Sequence, residues 1–293
     1  MLVEPMLTTK TKVLLAALAY RVVAAGRGLV GKDNLATVRR GGLKWRLDLS
    51  EGIDFSIYLL GSFERSTVLA LQKLVRPSDV VFDIGANIGA HTLGLARSVG
   101  PSGRVFAFEP ADFAFAKLRC NLALNPELEA HTFPQQILLA AEPAETAHQG
   151  IYASWPLEKD DSVHPKHRGR LVTTQGASID TLDRFVERQG IDRLTLIKID
   201  VDGHELPVLR GGLGVLAKFR PILVMEMSPY VHAENHHSFA ALVALLRDAG
   251  YALQDATASK SLPLDAAELE TLIPDGASIN VIARPNGAPA HSS

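Results

Sequence analysis

The stretch VVFDIGANIGAHTLGLARSVG, residues 80–100, sets how the rest of the chain is read. An apolar run enters a glycine turn and leaves as an amphipathic segment that stops at Gly100, the pattern of a buried strand feeding a helix past a ligand. Three ligand types compete for such a turn. A phosphate loop requires lysine and then serine or threonine after its last glycine, and no lysine follows Gly89. A dinucleotide turn requires G-x-G-x-x-G, whereas Asp83, Gly85 and Gly89 spell D-x-G-x-x-x-G. The missing glycine is the one that lets backbone approach a pyrophosphate. The next apolar run, RVFAFEP, carries Glu109, 24 residues beyond Gly85, where a carboxylate can accept hydrogen bonds from both ribose hydroxyls. Together these features point to adenosine without phosphate, that is, to S-adenosylmethionine.

Outward from this motif, apolar strands alternate with segments of helical periodicity. LKWRLDL (43–49), VVFDI, RVFAFEP, LTLIKID, PILVMEM, YALQDA and SINVIARP read as strands, and HTFPQQILLA as strand and loop. Residues 64–75, HTLGLARSV, ADFAFAKLRCNLALN, SIDTLDRFVERQG, ELPVLRGGLGVLAKF and FAALVALLRDAG read as helices. Such alternation predicts a doubly wound, mostly parallel α/β sheet with right-handed crossovers, and the two closing strands suggest that the last one is inserted antiparallel. Ligands of these sheets sit at the carboxyl ends of the strands. There VVFD, VFAFE, LTLIKID and ILVME each end in an acid: Asp83, Glu109, Asp200 and Glu226. A solvated strand end explains any one of them, but a shared ligand better explains four.

Composition fits a globular enzyme, with 47% hydrophobic and 21% charged residues, and the formal net charge of −2 gives no reason to expect nucleic acid as a partner. The charge is unevenly placed. Residues 1–46 hold nine basic and two acidic side chains, a net of +7, which leaves −9 for the remainder. Within them KVLLAALAYRVVAAGRGLVG has helical apolar spacing, but Arg21 and Arg27 interrupt it before it reaches the roughly 18 apolar residues of a membrane span. It is expected to pack on the domain or on a second subunit, possible homodimer included, with peripheral contact to an anionic membrane as the alternative. A signal peptide is disfavoured by the lack of an uninterrupted apolar core. The single cysteine, Cys120, excludes a disulfide framework, fits a reducing compartment and leads to an expected cytoplasmic location.

The chain also resembles the FkbM-type methyltransferases of the class I S-adenosylmethionine-dependent group. The resemblance rests on IYLLGSFE (57–64), VVFDIGANIGAHTL (80–93), GRVFAFEP (103–110), NLALN (121–125), SIDTLD (178–183), LIKIDVDGHELPVLRGG (196–212) and RPILVMEM (220–227). It implies a seven-stranded Rossmann-like methyltransferase sheet over residues 43–284, preceded by a basic helical extension (1–42) and followed by a flexible tail (285–293). It further implies methyl transfer to a hydroxyl of a small-molecule, sugar or lipid-like acceptor. The segment 126–177 is the weakest match, its stretch EPAETAHQGIYASWPLEKDDSVHPKHRGR (142–170) fitting no pattern, and is where acceptor choice is expected.

On this reading the cofactor side comprises Asp83, Gly85, Ala86, Asn87, Gly89, Glu109 and Pro110. Gly85 and Gly89 let the turn and helix lie close, N–H groups near Asn87 and Ile88 receive the cofactor carboxylate, Asp83 or a neighbouring acid meets its ammonium, and Phe108 and Pro110 shape the adenosine edge. The resemblance adds Glu64, for which a surface acid at a helix start is the equal alternative. On the acceptor side, Lys198 and Asp200 share a strand face, and a lysine in so apolar a strand should pair with Asp200, Glu226 or another acid. Asp202, His204 and Glu205 follow. His204 has the reference pKa best suited to a base near neutrality, with Asp200 the alternative. Methyl transfer needs no metal and none is expected, although Asp200, Asp202 and Glu226 could form a cation site. His91 is read as facing the pocket or as packing, and His232, His236 and His237 as a loop near the acceptor. Two other classes remain: a nicotinamide-dependent oxidoreductase and a non-catalytic relative that only binds.

Overall fold

The computed structural model describes residues 8–143, 151–158, 163, 169–256 and 260–287. Chain order begins with α1 (Thr9–Leu29), the hairpin β1 (Leu35–Arg40) and β2 (Leu43–Asp48), α2 (Gly52–Leu60) and α3 (Arg65–Leu74). Then come β3 (Val80–Ile84), α4 (Thr92–Val99), β4 (Arg104–Phe108), α5 (Asp112–Ala123), α6 (Pro126–Glu129), β5 (Thr132–Gln135) and β6 (Ile137–Leu139). The middle of the chain supplies β7 (Ile151–Ser154), β8 (Arg170–Val172), β9 (Ser178–Asp180), α7 (Leu182–Arg188), β10 (Leu196–Ile199), α8 (Glu205–Arg210) and α9 (Leu213–Phe219). The last part holds β11 (Ile222–Met227), α10 (Pro229–Glu234), α11 (Phe239–Asp248), β12 (Tyr251–Asp255), β13 (Ser261–Leu262), α12 (Ala266–Leu272) and β14 (Ile279–Pro285).

The main sheet runs β13-β12-β14-β11-β10-β3-β4-β5. β11, β10, β3, β4 and β5 pair in parallel, and β14 enters antiparallel between β11 and β12. This is the doubly wound sheet expected from the alternation, with its closing strand antiparallel. The two-residue β13 at the edge adds an eighth strand to the seven expected. Small two-stranded sheets, β1-β2, β6-β9 and β7-β8, lie outside it.

Two apolar layers cover the sheet, and strand alternation assigns side chains to them. Val80, Phe82 and Ile84 of β3, Phe106 and Phe108 of β4, and Ile197 and Ile199 of β10 enter one layer, where Phe108 and Phe185 meet edge-on at 4.7 Å. Val81, Val105, Ala107, Leu196 and Val224 enter the other, together with Trp45, Leu47, Phe55 and Leu71. Asp83, Lys198 and Glu226 are in phase with this second layer, so one face of the sheet carries the charges.

Several local readings change. SID forms the strand β9, and only then does Thr181 cap α7 by accepting from Arg184 N. The helix expected through 205–219 breaks at Gly211 and Gly212; a Cβ on Gly211 would lie 2.1 Å from Ala140 O, so the chain there rests directly on another backbone. Pro229 opens α10 rather than keeping a loop, because proline suits a first helical position whose N–H has no intrahelical partner. The segment read as a helical extension (1–42) contains β1, paired residue for residue with β2 beyond residue 42. Within the 126–177 segment read as choosing the acceptor, residues 144–150, 159–162 and 164–168 lie outside the described residues, as does the expected tail from 288 onward.

Candidate active site

The glycine turn is shaped by its neighbours. Gly85 has φ +78° and a Cβ there would lie 1.8 Å from Asp200 O, so glycine is required where the turn touches the end of β10. Gly89, at φ +92°, would press a Cβ against Leu93 and Leu118 at 2.8 and 3.0 Å. Both glycines are therefore demanded by contacts within the protein. The turn's N–H groups are also engaged. Gly85 N and Ala86 N donate to Phe108 O, Gly89 N to Ala86 O, Asn87 N to Glu109 Oε2 at 2.8 Å, and Ile88 N to the Asn87 Oδ1 at 2.9 Å. The donors expected to receive a cofactor carboxylate near Asn87 and Ile88 are thus not free. A rotation of the Asn87 side chain would release Ile88 N, and one of Glu109 would release Asn87 N.

Glu109 is buried and accepts from Asn87 N through Oε2 and from Ala111 N through Oε1. Burial pushes its carboxyl up to about 7 against those two hydrogen bonds. Pro110 beside it is buried. The Phe108 ring, expected at an adenosine edge, packs in the layer opposite Asp83 and Lys198 with Phe82 and Phe185, as the alternation of β4 dictates.

Beneath the turn lies Lys198, 3% exposed, with Nζ 3.3 Å from Asp83 Oδ1 and 3.6 Å from Asp200 Oδ2, donating to Gly85 O at 3.0 Å. Asp83 is fully buried and its Oδ2 accepts from Thr92 Oγ1 at 2.6 Å, so it belongs to this internal pair. Burial alone would lower the Lys198 ammonium, but Asp83, Asp200 and Glu64 more than offset that and raise it. The expected ion pair is present, with Asp83 as the nearer partner.

Around this lysine stands a group of acids from distant parts of the chain. Glu64 caps α3 at φ 45°, and its Oε2 accepts from Thr67 Oγ1 and Asn280 Nδ2. Burial, then the charge of Asp200, raises Glu64 to about 7. Asp200 is raised by burial, with Lys198 opposing. Burial and then Asp200 raise Asp202 and Glu226 well above the ordinary carboxylate range. Glu226 accepts from Ser278 Oγ. Burial and acidic neighbours disfavour the ionised forms of these four carboxyls, and a positively charged ligand beside them would favour those forms. Among the described residues, no group of three metal-ligating side chains is arranged to hold an ion.

The loop after β10 is held from below. Glu205 Oε1 accepts from Val201 N at 3.3 Å and Gly203 N at 3.4 Å. Its Oε2 lies 3.1 Å from the Nε2 of the fully buried His232, outside hydrogen-bonding alignment. Burial would raise Glu205, but His232 and the backbone donors hold it below its ordinary value. Asn235 Nδ2 donates to Asp202 O at 2.7 Å, fixing that residue at φ 49°. His204 Nδ1 lies 3.3 Å from Val201 O, and its ring meets His237 edge-on at 5.4 Å. His232 supports the loop from inside; α10 ends at Glu234, so His236, at φ 58°, does not continue its helical face.

The structure thus gathers Glu64, Asp83, Gly85, Lys198, Asp200 and Asp202, with Glu226, at one end of the sheet. It also brings in His91, read as facing the pocket or as packing, and three residues that sequence reading missed. His91 is buried 3.9 Å from Glu64 Oε2 with both ring nitrogens unpartnered, and burial holds it well below its ordinary pKa. Thr92, Asn280 and Ser278 each bond one of the acids. Thr92 was legible as a polar residue beginning a helix behind the turn, whereas Ser278 and Asn280 arrive by a chain return that no local pattern announces.

Residues 83–253 match the family model described as the methyltransferase FkbM domain. Over 164 residues the chain is 27% identical to the hexuronic acid methyltransferase AglP of Haloferax volcanii, covering 55% of this chain and 61% of that one. Over 161 residues it is 30% identical to the 31-O-demethyl-FK506 methyltransferase FkbM of Streptomyces tacrolimicus, covering 47% and 60%. The matched part spans about three fifths of the length of these curated relatives. Among solved structures, a methyltransferase FkbM from Methylobacillus flagellatus KT aligns with 14% identity and a TM-score of 0.43, over 76% of this chain and 56% of that chain.

Proposed function

The chain belongs to the FkbM methyltransferase family, and from that premise we propose that it transfers a methyl group from S-adenosylmethionine to a hydroxyl of a small-molecule, sugar or lipid-like acceptor. The observation that carries the cofactor reading is the surplus of carboxylates, Glu64, Asp200, Asp202 and Glu226, around the single buried Lys198. A ligand with a sulfonium and an ammonium offsets that charge, and an anionic pyrophosphate adds to it. The engaged N–H groups of residues 85–89 likewise argue against a nicotinamide dinucleotide.

When bound, S-adenosylmethionine supplies a methyl carbon already activated by its positive sulfur. The residues therefore have mainly to position two reactants and to take a proton. Glu109 is the proposed ribose partner, turning from Asn87 N while Ala111 N keeps its other oxygen. Glu64 is the proposed partner of the ammonium, in place of Asp83. His204, held at Nδ1 against Val201 O, and Asp200, at the open side of Lys198, are the proposed proton acceptors for the hydroxyl. Lys198 and Asp202 hold that carboxylate and the loop in place. An oxygen acceptor is supported by the name of the 31-O-demethyl-FK506 relative and a sugar acceptor by that of the hexuronic acid relative.

Calorimetry with S-adenosylmethionine and with NADH tests the reading. The protein should bind the first and not the second, and Glu109→Gln should bind the first more weakly; equal affinity of both proteins, or tight NADH binding, overturns it. Transfer of labelled methyl to hydroxyl compounds, hexuronic acid glycosides among them, then tests the acceptor class.

A further inference from the structure

α1 turns an apolar stripe toward solvent. Leu14, Leu18, Val22 and Leu29 recur at helical spacing, with Leu18 58%, Val22 75% and Leu29 88% exposed, and Leu15 and Val30 are exposed beside them. The usual fate of such a stripe is to face a core.

The helix cannot roll to bury it, because its other face is already tied down. Tyr20 is buried, its hydroxyl donates to Glu158 Oε1 at 2.6 Å, and its ring packs edge-on against Phe55 at 5.8 Å. At the first turn Thr9 N donates to Gly276 O at 3.0 Å, and the Tyr230 hydroxyl donates to Thr9 Oγ1 at 3.3 Å. At the last turn Arg27 donates to Asp33 O and Leu35 O, both at 3.0 Å. Three anchors along one side fix the leucines outward.

The charges bordering the stripe identify what would cover it. At the α-helical advance of about 100° per residue, Lys10 and Arg21 flank one edge of the stripe and Lys12 the other. Lys32 follows its end, and no acid occurs from Thr9 to Lys32. A second copy presenting the same face would set cations against cations. An acidic protein surface would answer the cations and leave the leucines in water. An anionic bilayer answers both, taking the leucines at the headgroup boundary and the lysines and arginine among the phosphates. No helix among the described residues is long and apolar enough to cross a membrane, so this one would lie in the interface.

We propose that the outer face of α1 is a docking surface for an anionic lipid bilayer. The test is co-sedimentation of the full chain with phosphatidylcholine vesicles, with and without phosphatidylglycerol, at low and high salt. Binding should require phosphatidylglycerol and weaken in high salt. Lys10→Gln with Arg21→Gln should reduce it by roughly thirtyfold, and Leu18→Asp with Val22→Asp should abolish it. Thermal melts of both double variants should match the parent, since these side chains are exposed. Equal binding to neutral vesicles, or no binding at low salt, overturns the proposal. So does a light-scattering result in which the parent is a dimer that Leu18→Asp with Val22→Asp dissociates, which would assign the face to a second copy.

Discussion

Lys198 Nζ lies 3.3 Å from Asp83 Oδ1 because the two residues are register partners on the adjacent parallel strands β10 and β3. The same ammonium bonds Gly85 O and approaches Asp200. One buried cation thereby joins the strand pairing, the glycine turn and the acids above it.

Removing that cation leaves Asp83 charged and unpaired in a dry layer. Lys198→Met is expected to cost about 3–5 kcal/mol of stability, read as a shift of the denaturant midpoint. Adding Asp83→Asn should recover part of the loss. If the double variant is no more stable than Lys198→Met, the pair does not carry the role given to it.

The two glycine classes should separate cleanly. Gly85→Ala drives a Cβ into Asp200 O at a left-handed φ, so it should unfold or severely destabilise the chain rather than merely weaken a ligand. Gly94, inside α4 with nothing within 4 Å of a built Cβ, should tolerate Gly94→Ala and gain about 0.5–1 kcal/mol. Thermal melts of the two variants decide this.

Stability and ligand affinity should run in opposite directions with pH. Glu64 and Glu109 titrate near 7 in the fold against an ordinary value of 4.5, so between those values the folded chain holds more protons than the unfolded one. Stability without ligand should therefore fall as pH rises through about 4.5 to 7, with Asp54, raised by burial to about 6, contributing in the lower half. A cationic ligand wants those carboxyls ionised. S-adenosylmethionine affinity should thus rise from pH 6 to pH 8, by at most about tenfold per unit for each linked proton, with protons released on binding in calorimetry. A flat profile removes both glutamates from the site.

For the acceptor side, His204→Ala and Asp200→Asn are expected to lower kcat by about 10²–10⁴-fold for whichever group takes the proton, with cofactor affinity changed far less. A rate left unchanged by one of them excludes that residue as the base.

Much of this arrangement is legible along the chain. Strand alternation puts Asp83, Lys198 and Glu226 in phase and Phe82, Phe106 and Phe108 in the opposite phase. The same alternation assigns Phe108 to the layer of Phe82 and Phe185. The caps are equally local: Thr181 begins α7 and Ser238 begins α11. Other features came from contacts between segments far apart. Gly85 is set by Asp200 O, the break at Gly211 by Ala140 O, and the N–H of Asn87 by Glu109.

By itself the sequence determined the fold class, the alternation of the main strands and helices, and the end of the sheet to which acids are delivered, because periodicity and turn chemistry act over a few residues. Only the tertiary structure decided which acid meets Lys198, that Glu64, Ser278 and Asn280 join the rim, that the turn spends its own N–H groups, and that α1 is pinned with its leucines outward. Those outcomes depend on strand register and burial, which are settled by the packing of distant segments against one another and leave no periodic trace in the chain.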